Sequence, residues 1–160
     1  MTQNPIPKIL WVDDTFVNDL HELMAYEDEL KYSGGYVIKR IDLPDKALDI
    51  LEKGENFVCI ILDIMMPYGK HFTAEATKEG TKTGIILAER IRTMDKYMNV
   101  PIVLLTGLRY ILETLAEHKI GYPCFIKANI SAKEFLGEIN TEIEKANLGG
   151  GNREKTSSLL

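Results

Sequence analysis

The stretch Phe57-Val58-Cys59-Ile60-Ile61-Leu62-Asp63-Ile64-Met65-Met66-Pro67 decides how this chain is read. Six apolar residues run without a break, the length and composition of a buried strand, and the run ends on a carboxylate. Three more runs end on a polar residue in the same way. Lys8-Ile9-Leu10-Trp11-Val12 ends on Asp13-Asp14, residues 100–105 on Thr106-Gly107, and Pro123-Cys124-Phe125-Ile126 on Lys127. In an open parallel sheet the carboxyl ends of the strands lie along one edge, and ligands bind in the crevice there. Three carboxylates, a hydroxyl and an ammonium would therefore meet at one place. That set suits a divalent cation and a phosphoryl group carried on a carboxylate.

Working outward, strands and helices alternate. Phe16, Leu20, Leu23, Met24 and Leu30 recur at helical spacing, with acids on the other face, and Gly34-Gly35 stops that helix. Tyr36-Val37-Ile38-Lys39-Arg40-Ile41 reads as a strand. Pro44 opens a short helix through Ala47, Leu48 and Leu51, and Gly54 closes it. Helices are predicted over residues 85–94 and 108–118, the second stopped by Gly121. Ser131-Ala132-Lys133-Glu134 is a capping box that opens the last helix, whose stripe is Phe135, Leu136, Ile139 and Ile143. Five strands alternating with five helices predict a doubly wound α/β fold with helices on both faces. The polar, glycine-rich segment 147–160 predicts a mobile tail after a single domain over residues 1–146.

Composition narrows the function. The 160 residues carry 45% hydrophobic and 27% charged side chains, an ordinary globular balance, with a net charge of -5. That charge disfavours a general nucleic-acid or acidic-membrane surface. No run is long enough to cross a bilayer, and the first residues lack a secretory pattern. Cys59 and Cys124 sit inside apolar runs, and His21, His71 and His118 are scattered, so zinc and disulfide readings fail; a cytoplasmic location is the expectation.

Asp63 is the candidate nucleophile, since a carboxylate can attack phosphorus and form an acyl phosphate. Such transfer needs alignment and charge neutralisation more than covalent help. Asp13 and Asp14 are candidates for holding Mg2+, Lys127 for pairing with a phosphoryl oxygen, and Thr106 for donating a hydrogen bond to another. Taken singly, each Asp would be a turn or cap residue and Lys127 a solvated lysine. Their occurrence in order at successive strand ends carries the reading, and three neighbouring carboxylates repel unless a cation joins them.

Over residues 8–147 the chain resembles the receiver domain of two-component response regulators. The resemblance rests on Asp13-Asp14, Asp63-Ile64-Met65-Met66-Pro67, Thr106-Gly107 and Lys127. It implies a flavodoxin-like five-stranded sheet of order 2-1-3-4-5 and phosphorylation of Asp63 by a histidine kinase or a histidine phosphotransfer protein. It implies Mg2+ held by Asp14, Asp63 and the backbone carbonyl of Met65, with Asp13 assisting through water. Phosphorylation would draw Thr106 toward the phosphate and shift the surface around the fourth helix and fifth strand. Met65 and Leu108 stand where the family controls water access, and two apolar side chains there predict slow self-dephosphorylation.

Three features depart from that pattern. Ala128 stands where proline commonly follows the lysine, so a trans Lys127–Ala128 bond is expected. The family's switch aromatic lies three residues before the lysine; here that residue is Cys124, and alternation along a strand puts Phe125 on the opposite face. Third, residues 67–84 are longer by roughly a dozen residues than the usual connection, and Thr83 reads as a helix cap. This insertion leaves the sheet beside Asp63, as a lid, a partner-selecting element or a solvated excursion.

The leading expectation is a stand-alone receiver that signals through protein contacts, with another protein or with itself as a homodimer, and is not an enzyme beyond self-catalysed phosphorylation and dephosphorylation. One alternative is a receiver-like binding module that signals without phosphate. Another is a phosphohydrolase with an aspartyl nucleophile; haloacid-dehalogenase-type enzymes use Asp-x-Asp, unlike the adjacent Asp13-Asp14. A flavodoxin is disfavoured because acids follow the first strand where a flavin phosphate would bind.

Overall fold

The computed structural model describes residues 3–17, 23–107 and 121–157, with side chains as far as residue 149 apart from Val17. The helix predicted over residues 108–118 lies outside the described residues, as do Leu20, His21 and His118. The strands are β1 (Lys8–Val12), β2 (Val37–Ile41), β3 (Cys59–Leu62), β4 (Ile102–Thr106) and β5 (Cys124–Ile126). They form one sheet of order β2-β1-β3-β4-β5. Every pairing is parallel, with Trp11 opposite Arg40 and Ile61, and Thr106 opposite Ile126. The runs predict a doubly wound sheet, and its order is the flavodoxin-like one that the receiver resemblance implies.

Alternation along the strands divides the core in two. Leu10, Val12, Ile60, Leu62, Ile102 and Leu104 face helices α2 (Pro44–Glu52) and α4 (Thr83–Arg92), meeting Ala47, Leu48, Leu51, Ile85, Ala88 and Ile91. Ile9, Trp11, Ile61, Val103 and Leu105 face α1 (Met24–Asp28) and α5 (Ala132–Ser157), meeting Tyr26, Leu30, Phe135 and Ile139. Helices thus cover both faces, which is why the central strands are apolar on both sides. Among the described residues no helix is long and apolar enough to cross a membrane.

Side-chain caps open the last helix, and glycines end the first. Ser131 N–H donates to Glu134 Oε2 at 2.9 Å and Glu134 N–H to Ser131 Oγ at 3.2 Å, the predicted capping box. α1 widens into a π turn over Glu29–Ser33, where Gly34 N–H donates to Glu29 O at 3.0 Å, and Gly35 leaves it at φ 74°. Gly34 must be glycine: a Cβ there would lie 2.6 Å from Leu30 O and 2.7 Å from Leu136. The helical backbone of α5 continues beyond Asn147 to Ser157, through the segment whose composition predicted a tail.

The insertion is folded. It contains the one-turn helix α3 (Ala74–Thr77), capped by Thr73 Oγ1, which accepts from Ala76 N–H at 2.9 Å. Its first turn is clamped by Asp45 of α2, whose carboxylate accepts Lys70 N–H at 2.7 Å and His71 N–H at 3.1 Å. Lys78, Glu79 and Gly80 all have positive φ, which reverses the chain toward α4.

Candidate functional site

The backbone ladder runs one residue past β1 and β3. Asp13 N–H donates to Ile41 O and Asp63 N–H donates to Val12 O, both at 2.9 Å. The two carboxylates are thereby held at the same sheet edge, with Asp14 beginning the 3-10 turn Asp14–Val17 beside them. Ligand atoms of Asp13, Asp14 and Asp63 all lie within 4.8 Å of one another. Asp13 is fully buried and Asp63 nearly so, while Asp14 is exposed. Thr106 ends β4, and Lys127 follows β5 at the start of a 3-10 turn, Lys127–Asn129. All five predicted side chains are therefore together.

Each acid has a different setting. Asp13 Oδ1 accepts from both the Thr15 N–H, at 2.9 Å, and the Thr15 hydroxyl, while its Oδ2 lies 3.0 Å from Lys127 Nζ. Asp63 Oδ1 accepts the Ile64 N–H at 2.8 Å, and its Oδ2 lies 3.7 Å from Lys127 Nζ. Burial, and then the charge of Asp13, push the Asp63 carboxyl up to about 7 against the opposing pull of Lys127. Partial burial and the same neighbour raise Asp14. One ammonium does not balance three carboxylates, and the hard oxygen donors are those a magnesium ion takes. The donor set fits that ion.

Thr15, Met65, Gly107 and the three polar residues Asp63, Thr106 and Lys127 line, with Asp14, an open cleft of about 200 Å3. That is below the roughly 300–1,000 Å3 of sites for drug-sized molecules, and suits a small anion with an ion beside it. The Thr106 hydroxyl is buried at its wall and has no hydrogen-bond partner among the described residues. A buried hydroxyl without a partner is uncommon, and a ligand oxygen in the cleft would satisfy it.

The insertion returns to this cleft. Met66 N–H donates to Gly80 O at 3.2 Å, and the Thr83 hydroxyl donates to Met66 O, at 2.6 Å, while lying 3.2 Å from Gly80 O. Thr83 is therefore not the cap predicted for it: it is the first residue of α4, after Lys82, and its hydroxyl ties down the loop that carries Met65. Gly84 N–H donates to Ile64 O at 2.9 Å, and a Cβ on Gly84 would sit 1.8 Å from Asp63 O. The start of α4 packs directly on the backbone of Asp63.

The departures around β5 take the predicted form. Among the described residues no peptide bond is cis, so Lys127–Ala128 is trans. Cys124 pairs with Leu104 on the α2/α4 face, whereas Phe125 turns to the other side, its ring 6.1 Å from Phe135. Burial, and then the charge of Asp63, raise the Cys124 thiol to about 11, so it stays neutral. Leu108 lies outside the described residues. Thr15 and Tyr26 were not singled out from the sequence; Asp13-x-Thr15 has the spacing of a side chain bonding the backbone two residues on, the one local signal for Thr15.

No protein-family model matches the sequence, and no curated protein matches it closely enough to count as a relative. Solved structures do match. A CheY-like receiver domain protein of Methanospirillum hungatei is 17% identical over 91% of this chain and 99% of its own, with a TM-score of 0.66. A chemotaxis response regulator of Vibrio cholerae is 19% identical over 86% and 99%, with a TM-score of 0.62. The non-phosphorylated HemR receiver domain of Leptospira biflexa is 25% identical over 86% and 94%, with a TM-score of 0.58. The strand order, the helices on both faces and these neighbours together give the chain the fold of response-regulator receiver domains.

Proposed function

We propose that this protein is a phosphoryl-accepting receiver, with Asp63 as acceptor and a histidine kinase or histidine phosphotransfer protein as donor. The observation that carries the reading is the sheet-edge cluster: three carboxylates within 4.8 Å, one lysine across from two of them, and a threonine hydroxyl on the cleft wall with no partner among the described residues. Asp63 Oδ2 attacks phosphorus, since Oδ1 is held by the Ile64 N–H. The new O–P bond forms as the P–N bond to the donor imidazole breaks; that nitrogen keeps the electron pair and takes a proton from water. Lys127 Nζ pairs with one phosphoryl oxygen and the Thr106 hydroxyl donates to another.

Asp13, Asp14, Asp63 and the Met65 carbonyl would hold Mg2+, which neutralises charge on the transferring group. Thr15 keeps Asp13 oriented by holding Oδ1. The output is a protein contact, with a partner or a second copy, and chemistry beyond the protein's own phosphorylation and dephosphorylation is not part of the reading. Intact mass after incubation with Mg2+ and acetyl phosphate tests it. One phosphoryl group should add to the wild type and none to Asp63→Asn; equal gain in both, or none in either, refutes it. One observation favours the alternative of a binding module that signals without phosphate: the β5 residues on the Thr106 side are Cys124 and Ile126, with the ring of Phe125 on the other face.

A further inference from the structure

Lys127 reaches the cleft from a turn that its own sequence does little to stiffen. Ala128 imposes no restriction on φ, the bond before it is trans, and Ala128 and Asn129 are exposed. The constraint comes from α1. Tyr26 is nearly buried, its ring set edge-on to Phe135 with centroids 5.5 Å apart. Its Oη lies within hydrogen-bond distance of the Lys127 carbonyl oxygen and 2.6 Å from that of Ile130. The phenolic proton thus bridges the first carbonyl of the 3-10 turn and the residue that leaves it. Two carbonyl oxygens brought to one point repel unless a donor sits between them. The same turn sets the Lys127 backbone from which Nζ reaches Asp13 at 3.0 Å and Asp63 at 3.7 Å.

We propose that Tyr26 is a positioning residue for Lys127, its hydroxyl holding the 127–130 turn so that the ammonium stays aimed at the Asp13–Asp63 pair. The part of this that concerns phosphoryl transfer rests on the function proposed above. Tyr26→Phe removes the hydroxyl and keeps the ring against Phe135. A matched control is available in Tyr36→Phe. Tyr36 Oη also donates one hydrogen bond, to Asn140 Oδ1 at 2.6 Å, but Tyr36 precedes β2 at the opposite sheet edge.

Three readouts separate positioning from general weakening: phosphorylation rate with acetyl phosphate at saturating Mg2+, Mg2+ affinity by titration, and backbone order parameters of residues 127–130 in the metal-free protein. Tyr26→Phe should slow phosphorylation about fivefold to twentyfold, hold the Mg2+ Kd within about twofold, and lower the order parameters below the ~0.85 of rigid backbone. Tyr36→Phe should leave all three near wild type. A rate within twofold of wild type for Tyr26→Phe, or an equal loss in Tyr36→Phe, overturns the proposal. If the wild type takes no phosphoryl group at all, the function above fails instead. The order parameters then decide alone, and unchanged values at residues 127–130 refute the clamp.

Discussion

Replacing Asp63 by asparagine should stabilise the metal-free protein while abolishing phosphorylation. The amide side chain keeps an oxygen for the Ile64 N–H, which Asp63 Oδ1 now accepts at 2.8 Å, and drops the charge that burial and Asp13 oppose. The direction with pH follows from the raised carboxyl. Its folded value of about 7 exceeds the ordinary 3.8, so between those values the folded protein holds the proton more firmly than the unfolded chain. The contribution of Asp63 to stability is therefore fully present below about pH 4, is lost as pH rises through the window to about 7, and is level above it. At ~1.4 kcal/mol per pH unit the full rise corresponds to roughly 4 kcal/mol.

The gain from the substitution is smaller, because Lys127 loses one of its carboxylate partners. About 2 kcal/mol at pH 8 is expected, a rise of roughly 4–8 °C in Tm for a chain of this size, shrinking to nothing near pH 4. Thermal unfolding in EDTA across pH 4–8 measures it. Added Mg2+ should then reverse the order: at a hundred times its Kd an ion bound to the folded wild type adds about 2.7 kcal/mol, and the variant should gain much less. An Asp63→Asn protein no more stable than wild type at pH 8 in EDTA would refute the picture of an unbalanced carboxylate cluster.

Lys127→Ala removes the cation between Asp13 and Asp63, both buried, and should cost about 3 kcal/mol at pH 8. The loss should shrink toward pH 5 as Asp63, raised to about 7, takes up its proton; denaturant unfolding at both values checks this, and a loss independent of pH contradicts it. Gly84→Ala must displace α4 from the Asp63 backbone, since its Cβ would lie 1.8 Å from Asp63 O. A cost of about 3 kcal/mol or more, with loss of Mg2+ binding, is expected from unfolding and titration. Met65, partly exposed on the cleft wall, is placed to restrict water there, so the acyl phosphate should last minutes or longer; decay within seconds by mass spectrometry would contradict this.

What could be read from the sequence is what local pattern encodes. Parallel strands buried on both faces announce themselves as unbroken apolar runs, and the polar residue ending each run falls at the edge where ligands bind. Asp13, Asp14, Asp63, Thr106 and Lys127 were legible for that reason, as was the Ser131–Glu134 capping box. Tyr26 was not, because its partner Lys127 is 101 residues away and its spacing is that of a core residue in α1. The order of the insertion was hidden in the same way. It comes from Asp45, 25 residues before Lys70, and from Thr83, 17 residues after Met66. Neither distance leaves a periodic trace, so the segment read as a loop and Thr83 as a cap.

These long-range bonds bear on how a change at Asp63 can reach the surface. Thr106 has no ring beside it in β5: Cys124 and Ile126 share its face, and Phe125 is committed to Phe135 on the other. By contrast, the loop after Asp63 is tied into the insertion at three points. Met66 N–H meets Gly80 O, Met66 O meets the Thr83 hydroxyl, and Ile64 O meets Gly84 N–H. The first turn of the insertion is fastened to α2 through Asp45. A displacement of Ile64–Met66 therefore strains hydrogen bonds that end on α2 and α4. A displacement of Thr106 meets only small or aliphatic side chains in β5. Among the described residues, the hydrogen-bonded connection out of the cleft runs on the side of the insertion.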